Sequence, residues 1–503
     1  MTSRVLLAII DGLGAEPLRR ALADGHAPCI QALLDGGARF DEAISPFPSL
    51  TPVCLSTIIT GALPDQHRIP SLGWYNRGEH RFVEYGSSFA AAKVEGRSQT
   101  IEDVILNLNH VHLAEHPPTL FERYQDEGRE AASINFLLWR GRTRHTMKHD
   151  YGPVKRIGRR QGVHAVYGPD HLYFGELYGK SRPMLPQVGI KRPKDWGAGH
   201  IARWLLRNTQ TEFVLLYLGQ HDVASHKYGP EDTQRAIRIA DRALARTVEG
   251  MGGVEQFLQE CAFVLCADHG QTSVTRSERL EDVFDDIKLF QGSRAAGAEH
   301  AELAIVPSNR FAMAYRVREG SPSDLWVAER ALESSGVDIA MYVDEGEVVI
   351  RSASRGELRA RRADMHGARG GLITERAARA GEPDRWQLNG DLGVLDIELD
   401  GDQIVYGAYP DALMRISAAL RCVNTGDVLV SAALGTEFED IGGRSHDGGS
   451  HGSLLAGDSV APLITSGVGM PGAAPGWWRL ADIAGIVAQH AGLPDHTEVR
   501  VMQ

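Results

Sequence analysis

The sequence predicts an α/β protein in which a largely parallel central sheet is flanked by helices and carries an inserted, smaller α+β cap. Short, continuous apolar runs alternate with longer helical segments, a pattern typical of strands buried on both faces of a parallel sheet. Beyond about residue 285 the pattern changes to polar hairpins and charged, glycine-rich stretches. We therefore predict a main domain in two parts, residues 1–289 and 411–503, with the cap at 290–410.

The first buried strand is predicted over residues 5–10, an apolar run that ends at Asp11-Gly-Leu-Gly14. Similar runs predict core strands at residues 131–138, 213–218, 261–267 and 427–432. Helices are predicted at residues 16–34 (where Asp24-Gly25 and Pro28 can interrupt the helix), 119–124, 195–208, 230–251 and 479–490.

Two further segments have a distinct character. Residues 341–350 have the pattern of a hairpin inside the predicted cap. Residues 145–193 are rich in glycine, proline, tyrosine and basic side chains, which predicts a solvated surface loop. A substrate-facing loop that meets anionic groups is the alternative interpretation of this basic segment.

The segment Pro48-Ser-Leu-Thr51-Pro52 predicts a helix that is capped by Thr51 and stops near Gly61. Pro52 suits a first turn because it has no amide hydrogen to lose, and glycine is a common helix stop. The free amide groups and the dipole at such a position favour an anionic oxygen. A threonine that only caps a core helix is the simpler interpretation, and the β-branched run at residues 58–60 leaves a strand as a further alternative.

The bulk composition is that of an ordinary globular protein with an acidic balance. The 503 residues include 53 Lys and Arg against 65 Asp and Glu, a formal charge of −12. Non-specific nucleic-acid binding depends on cationic surface, so this balance argues against it as the main activity. A small anionic substrate stays compatible, because a bound metal can reverse the local sign of charge.

The cysteine count and hydropathy give expectations about location. Five cysteines without a close CxxC pair predict reduced thiols rather than a disulfide framework. No apolar run approaches the length of a membrane span, and a strand-like run starts almost at the N-terminus, without a long targeting segment before it. We therefore expect a cytoplasmic protein without a membrane partner, and the sequence leaves its oligomeric state open.

Metal-ligating residue types recur where the predicted strands end. In parallel α/β sheets, ligands bind outside the carboxyl ends of the strands, so these side chains are expected to meet at one edge. Together with the helix threonine they form a mixed oxygen and nitrogen set that suits zinc or manganese, and their number fits two ions. The seven predicted ligands are Asp11, Thr51, Asp222, His226, Asp268, His269 and His451.

The order of these motifs resembles the alkaline phosphatase superfamily, and within it the type I phosphodiesterase/nucleotide pyrophosphatase family. The motifs are Asp11, Pro48-Ser-Leu-Thr51, Asp222-x-x-x-His226-x-x-Gly229-Pro230, Asp268-His269-Gly270 and Ser450-His451-Gly452. The resemblance covers about residues 1–275 and 425–490 and leaves the predicted cap unmatched.

This resemblance implies a two-metal hydrolase. Asp222, His226 and His451 would hold one divalent ion, and Asp11, Thr51, Asp268 and His269 would hold the other. Thr51 would attack phosphorus in line and form a covalent phosphoryl-threonine that water later hydrolyses. The implied substrate is a small, nucleotide-like phosphodiester or pyrophosphate.

The sequence departs from the family pattern in two places. Family members usually carry an asparagine for a non-bridging phosphate oxygen where this chain has Ser71 or Leu72, and we consider Asn76 as its substitute. The spacer from His269 to His451 is long, which implies a larger cap and a distinct leaving-group pocket.

Several nearby residues are not assigned to the site. His221 is expected to point away from the ligands, and His446 is a second choice to His451 because it lacks the Ser-His-Gly pattern. Cys54 lacks the Cys-x-Pro-x-Arg context of a sulfatase nucleophile, so a buried thiol is expected. The histidines between residues 110 and 171 lack consistent ligand spacing and are expected at the surface.

Other functions compatible with the same motifs are a phosphomonoesterase and a phosphonoacetate-type C–P hydrolase. A phosphoglycerate mutase fits less well, since that branch by resemblance uses a serine nucleophile followed by a large insertion. From a different class, a binding protein could retain the fold without catalysis. The presence of the nucleophile and every ligand type argues against that alternative.

Overall fold

The computed structural model describes residues 4–146, 165–174, 195–292, 300–363, 373–374, 384–469 and 478–494. Most of the predicted basic loop at 145–193 lies outside these residues, so its two interpretations stay predictions.

An eight-stranded central sheet forms the centre of the protein. Five of its strand pairings are parallel, and the two antiparallel pairings are both made by Val460–Ser466. The predicted parallel sheet is therefore confirmed over most of its width, with an antiparallel strand near one side. Its spatial order is Trp478–Arg479, Arg39–Ile44, Val460–Ser466, Cys261–Cys266, Arg4–Ile10, Phe213–Leu218, Ala131–Ile134 and His171–Tyr173.

The central strands are buried on both faces, as their continuous apolar sequences predict. Residues 5–10 and 261–266 are fully covered because helices and the rest of the core pack on both sides. The strand predicted at 131–138 is shorter, Ala131–Ile134. Asn135 follows with a φ of 61°, a left-handed conformation that ends the extended backbone.

Helices alternate with these strands along the chain. The predicted helix at 16–34 is interrupted as expected, and the one at 230–251 opens with a short 3₁₀ turn. The α-helices are Ala15–Ala23, Pro28–Asp35, Thr51–Thr60, Pro64–His67, Ala91–Glu95, Arg97–Glu102, Leu120–Asp126, Asp195–Asn208, Gln220–Tyr228, Gln234–Gly250, Val254–Glu260, Asp324–Ala331, Ala412–Leu420, Ala456–Ser459 and Asp482–Ala491. Asp103–His112 forms a π-helix, and Pro230–Asp232, Leu280–Phe284 and Leu392–Leu395 form 3₁₀ turns.

A second sheet of ten strands contains the predicted hairpin, observed as Val337–Asp344 and Glu347–Ser352. The strand predicted at 427–432 exists as Val428–Ala432, but it pairs with Phe311–Arg316 and Val337–Asp344 in this second sheet. The predicted strand is therefore present and buried, but its apolar run does not specify which sheet it joins. The other strands are Leu303–Ser308, Gly356–Arg362, Ile373–Thr374, Arg385–Gly390, Ile397–Asp400 and Gln403–Tyr406.

The second sheet packs against the central domain rather than standing apart from it. Met313 and Met341 belong to the same hydrophobic core as the central strands. The opposite face of the sheet packs under helix Asp324–Ala331 in a smaller core of its own. The division at residues 290 and 410 stays a prediction, although the second sheet takes in a strand beyond 410.

Four short two-stranded ribbons complete the strand inventory of the described residues. They pair Gly73–Asn76 with Arg81–Glu84, Thr143–Thr146 with Ala165–Gly168, Thr272–Ser273 with Gly449–Ser450, and Arg276–Glu278 with Thr436–Phe438. Across the described part of the chain, no helix combines the length and the apolar character needed to cross a bilayer.

Candidate active site

The predicted helix around Thr51 is present as Thr51–Thr60, and Gly61 ends it with a φ of 72°. Thr51 is the first helical residue, and Leu50 occupies the cap, so the capping position predicted for Thr51 is off by one residue. Every later residue of the helix is buried, whereas Thr51 is partly exposed. The helix therefore presents the Thr51 hydroxyl at its positive end, beside accessible space.

Three carboxylates reach this helix from neighbouring strands of the central sheet. Arg4–Ile10 lies between Phe213–Leu218 and Cys261–Cys266, with Ile10 in register with Leu218 and Ile9 with Cys266. Because the three strands are parallel and end together, the residues that follow them meet at one edge. These residues include Asp11, Asp222 (in the first turn of Gln220–Tyr228) and Asp268.

One group of ligands surrounds the Thr51 hydroxyl. His269 Nε2 lies 3.1 Å from Thr51 Oγ1 and 3.6 Å from both Asp11 Oδ1 and Asp268 Oδ2. Ligand atoms of Asp11, Asp268 and His269 all lie within 4.8 Å of one another. The four residues predicted for one ion are therefore together.

The second group forms around Asp222. Its Oδ1 lies 3.3 Å from His226 Nε2 and 3.8 Å from His451 Nε2. His269 also comes within 4.8 Å of Asp222 and His451, and its ring stacks on that of His451 with centroids 3.6 Å apart. The two groups thus adjoin at His269, and all seven predicted ligands lie in one continuous cluster.

Backbone hydrogen bonds fix the orientation of all three imidazoles. Each Nδ1 lies against a carbonyl oxygen, so Nδ1 carries the proton and donates it. In the neutral imidazole, Nε2 then keeps a lone pair that faces the cluster, as a metal-binding histidine requires. The pairs are His226 with Gly449 (2.8 Å), His269 with Gly270 (2.9 Å) and His451 with Ser49 (2.8 Å).

Burial and mutual charge give this cluster strongly perturbed acidities. Burial raises the pKa of Asp268. Burial alone would also raise the pKa of Asp222, but the neighbouring histidines outweigh it and the pKa lies below its ordinary value. Burial, together with the adjacent His269 and His226, lowers the pKa of His451 well below its usual range. Such opposing shifts in one cleft are typical of functional sites.

The residues present fit divalent cations. Asp268 Oδ2 is buried and finds no hydrogen-bond partner among the described residues, which is costly unless a cation neutralises it. Three imidazole lone pairs and three carboxylates supply the borderline donor set that zinc and manganese accept.

A cavity of about 520 Å³ opens over the cluster and exposes Thr51. Its lining combines apolar or aromatic side chains with polar ones that include a lysine. The apolar and aromatic residues are Pro52, Leu72, Tyr85, Leu137, Tyr217 and Val223, and the polar ones include Lys227, Asn309, Ser445, His446 and Asp447.

Sequence comparison decides the family. The profile described as Type I phosphodiesterase / nucleotide pyrophosphatase matches residues 5–363, more than half of the chain. This chain belongs to that family. The matched region includes six of the seven predicted ligands, and His451 lies beyond it. The place of His451 among the ligands of this family member therefore depends on the geometry described above.

Curated relatives of this phosphodiesterase-family chain match it in part. The venom phosphodiesterase CdcPDE of Crotalus durissus collilineatus is 31% identical over 170 residues, which cover 31% of this chain and 20% of the venom protein. Ectonucleotide pyrophosphatase/phosphodiesterase family member 7 of Rattus norvegicus is 20% identical over 257 residues, which cover 50% of this chain and 47% of the rat protein. The chain thus matches less than half the length of either relative.

Solved structures of similar fold cover nearly the whole chain. Phosphonoacetate hydrolase from Sinorhizobium meliloti 1021, in complex with phosphonoformate, has a TM-score of 0.55 at 16% identity and covers 97% of this chain and 95% of its own. Murine ectonucleotide pyrophosphatase / phosphodiesterase 5, as an inactive variant in complex with AMP, has a TM-score of 0.53 at 12% identity and covers 98% and 95%. These likenesses establish that the fold is shared.

The structure does not bring Asn76 to the cavity of this family member. The side-chain oxygen of Asn76 accepts hydrogen bonds from the amides of Gly78 (3.0 Å) and Glu79 (3.1 Å) in a hairpin turn. Asn76 is also absent from the described residues that line the cavity. The turn at residues 76–81 uses this side chain locally, so its proposed role as a substrate contact is not supported.

The structure also describes the residues that the sequence analysis left unassigned. His221 is buried with Nδ1 against the carbonyl of Asp11, and burial lowers its pKa to about 4. His446 lines the cavity, with its Nδ1 atom 2.7 Å from Oε1 of Glu437 and its ring stacked on that of His226. Burial raises the pKa of Cys54 well above its ordinary value, which leaves an inert thiol. His112 is buried, against the prediction, and burial lowers its pKa to about 4. His110 is exposed, as predicted.

Three site residues escaped the sequence analysis. The Tyr217 hydroxyl donates a hydrogen bond to Asp11, and Gln271 Nε2 donates one to Asp222 Oδ1 at 2.5 Å. Asn309 Nδ2 lies 3.0 Å from His451 Nε2. Tyr217 is the last residue but one of a predicted strand and Gln271 follows Asp268-His269-Gly270, so their positions gave a usable signal. Asn309 lies in the predicted cap, where no pattern pointed to the site.

Glu84 makes the stability of the cavity rim depend on pH. Its Oε1 accepts hydrogen bonds from the amides of Gly86 (2.7 Å) and Ser87 (2.5 Å), and burial raises its pKa from 4.5 to about 7. The folded protein therefore retains a proton that the unfolded chain has already released. The unfolding free energy should fall by on the order of 3 kcal/mol as the pH rises from 4.5 to about 7.

The variant Glu84→Gln retains an acceptor oxygen without the titration, so it should remove this part of the pH dependence. Thermal unfolding of both proteins at about pH 5 and about pH 8 measures the effect. We expect the variant to gain stability relative to the parent at the higher pH. A difference between the two proteins that is equal at both pH values would contradict this assignment.

Proposed function

We propose that this protein is a two-metal phosphoric ester hydrolase that cleaves phosphodiester or pyrophosphate bonds of a small, nucleotide-like substrate. The observation that carries the proposal is the position of the Thr51 hydroxyl. It lies 3.1 Å from His269 Nε2, at the accessible end of a buried helix and at the floor of the cavity. A hydroxyl so placed inside a ligand cluster is a nucleophile rather than a helix cap.

Each cation would be held by one half of the cluster. Asp222, His226 and His451 would hold the first, and Asp11, Thr51, Asp268 and His269 the second, with zinc or manganese as the ions that suit these donors. Two such cations would supply positive charge beside both the attacking and the leaving oxygen. Tyr217 and Gln271 hold the carboxylates of Asp11 and Asp222 in position.

Thr51 carries the covalent step. A bond forms between Thr51 Oγ and phosphorus while the bond from phosphorus to the leaving oxygen breaks on the opposite side. The Thr51 proton passes to solvent water, and the leaving oxygen takes a proton from solvent water. The free amides of the first helical turn and the helix dipole stabilise the phosphoryl oxygens. Water then cleaves the phosphoryl-threonine, which restores the hydroxyl and releases the phosphate monoester.

The lining of the cavity favours an ester with one apolar and one polar substituent. Leu72, Tyr85 and Leu137 would accept a flat apolar group such as a nucleobase, and Lys227 would complement negative charge. A phosphomonoesterase and a phosphonoacetate-type C–P hydrolase use the same chemistry at the cluster. A non-catalytic binding protein would have no need of a nucleophile among the ligands.

Initial rates on a panel of substrates distinguish these functions. The panel contains an aryl phosphodiester, an aryl nucleotide diester, a dinucleotide pyrophosphate, an aryl phosphomonoester and phosphonoacetate. We expect the diesters or the pyrophosphate to be cleaved with the highest kcat/KM. Preference for the monoester or the phosphonate would replace the proposal with that alternative, and absence of turnover on all five would favour the binding protein.

Removal of metal should abolish this activity. After dialysis against a chelator we expect the rate to fall by at least about a hundredfold, because the buried carboxylates lose their counter-charge. Addition of zinc or manganese should restore it, and protein dialysed without chelator is the control. An unchanged rate in protein shown by elemental analysis to be metal-free would contradict the two-metal assignment.

A further inference from the structure

Asn309 lies at the tip of a hairpin that reaches from the second sheet into the active-site cavity. It joins Leu303–Ser308 to Phe311–Arg316, which pair antiparallel with Ser308 opposite Phe311. Asn309 has a φ of 57°, a left-handed conformation that asparagine tolerates better than most residues. Only 6% of the residue is exposed, yet its side chain lines the cavity.

The surrounding backbone and the neighbouring arginine hold this turn in place. Asn309 accepts a hydrogen bond from the amide of Phe438 (2.8 Å), and the amide of Arg310 donates to the carbonyl of His451 (2.9 Å). The Arg310 side chain is fully buried and pairs with Asp458 at 2.7 Å. The position of Asn309 is therefore set by the fold rather than by its contact with His451.

The tautomer of His451 fixes the orientation of the Asn309 amide. His451 Nδ1 donates to the carbonyl of Ser49, so Nε2 carries a lone pair and can only accept. The atom of Asn309 that lies 3.0 Å from Nε2 must accordingly be the donor Nδ2. The side chain thus points an N–H group at the place where a cation would bind.

If His451 held a cation, its Nε2 would no longer be free to accept the hydrogen bond from Asn309. The described residues offer this amide no other acceptor within hydrogen-bond distance. A buried donor without a partner is unfavourable, so the amide becomes available to a ligand that brings its own oxygen. We propose that Asn309 is a substrate-binding residue whose Nδ2 donates a hydrogen bond to an oxygen of the phosphoric ester, an inference that rests on the proposed function.

Binding measurements separate this role from catalysis. In a Thr51→Ala background, which removes the nucleophile, calorimetry would measure the dissociation constants of inorganic phosphate and of an aryl phosphodiester with the cation-loaded protein. Adding Asn309→Gly removes the amide and suits the positive φ, and Asn309→Asp retains the shape but loses the donor. We expect each variant to weaken binding by roughly tenfold to a hundredfold while the metal content stays unchanged.

Glu345→Gly is the matched control. Glu345 also has a positive φ of 48°, and it lies in the tight hairpin turn between Val337–Asp344 and Glu347–Ser352 of the same sheet. It is not among the described residues that line the cavity, so binding should be unaffected. Equal changes in the control and in Asn309→Gly would overturn the proposal.

The remaining outcomes also decide it. Unchanged dissociation constants in both Asn309 variants would overturn the role, as would failure of the Thr51→Ala parent to bind either probe. Loss of a cation in Asn309→Gly would show that Asn309 only positions His451. Because these assays need no turnover, absence of hydrolysis by the protein with Thr51 intact would refute the proposed function separately.

Discussion

Replacement of Thr51 by alanine should abolish ester hydrolysis while the fold and most of the metal content remain. The hydroxyl is the proposed nucleophile, so its loss should reduce kcat by at least about a thousandfold. The helix should persist, because its other residues are buried and alanine favours helix. Steady-state rates, elemental analysis and thermal unfolding together measure these three properties.

Thr51→Ser is the matched control because it retains a hydroxyl at the same position. We expect this variant to keep measurable activity, whereas the alanine variant should have none above background. Quenched reactions of the parent protein with a labelled diester should also contain phosphate bound to Thr51. An alanine variant that turns over at the parent rate would remove Thr51 from the mechanism.

Replacement of Asp222 by alanine should empty one of the two metal positions. Asp222 Oδ1 lies within 3.8 Å of both His226 Nε2 and His451 Nε2, and a cation between them would lose its only carboxylate among the three predicted ligands. We expect the content to fall from two cations per chain to one, with a decrease in kcat of at least about a hundredfold. Elemental analysis after gel filtration gives the stoichiometry.

Asp232→Ala provides the comparison for this variant. Asp232 is an exposed carboxylate at the end of the 3₁₀ turn that follows helix Gln220–Tyr228. Its removal should leave both the metal content and the rate unchanged. If Asp222→Ala also retained two cations per chain, the assignment of Asp222 as a ligand would be wrong.

The position of the cluster was predictable because local patterns and one topological rule were sufficient. Each central strand that leads to the site is a continuous apolar run, and the carboxyl ends of parallel strands lie at the same edge of a sheet. Asp11, Asp222 and Asp268 therefore had to lie near one another once the strands were recognised. Their neighbours His226 and His269 followed from the same short motifs.

Contacts between segments that lie far apart in the sequence could not be predicted from these local patterns. The apolar run at Val428–Ala432 predicts a strand but does not indicate to which sheet the strand belongs. In the structure it pairs with Phe311–Arg316 in the second sheet. Among the described residues, Asn309 lines the cavity, whereas the predicted Asn76 does not. In both cases the deciding interaction joins segments more than a hundred residues apart, as the Asn309–His451 contact does. Sequence periodicity carries no information about such pairings.

The most direct test of the two-metal site is anomalous diffraction from crystals of the protein loaded with zinc or manganese. We predict two anomalous peaks per chain, one within bonding distance of Asp222, His226 and His451 and the other beside Asp11, Thr51, Asp268 and His269. After treatment with a chelator, the crystals should show neither anomalous peak beside these residues. A single peak, or peaks that lie away from this cluster in metal-saturated active protein, would contradict the proposed site.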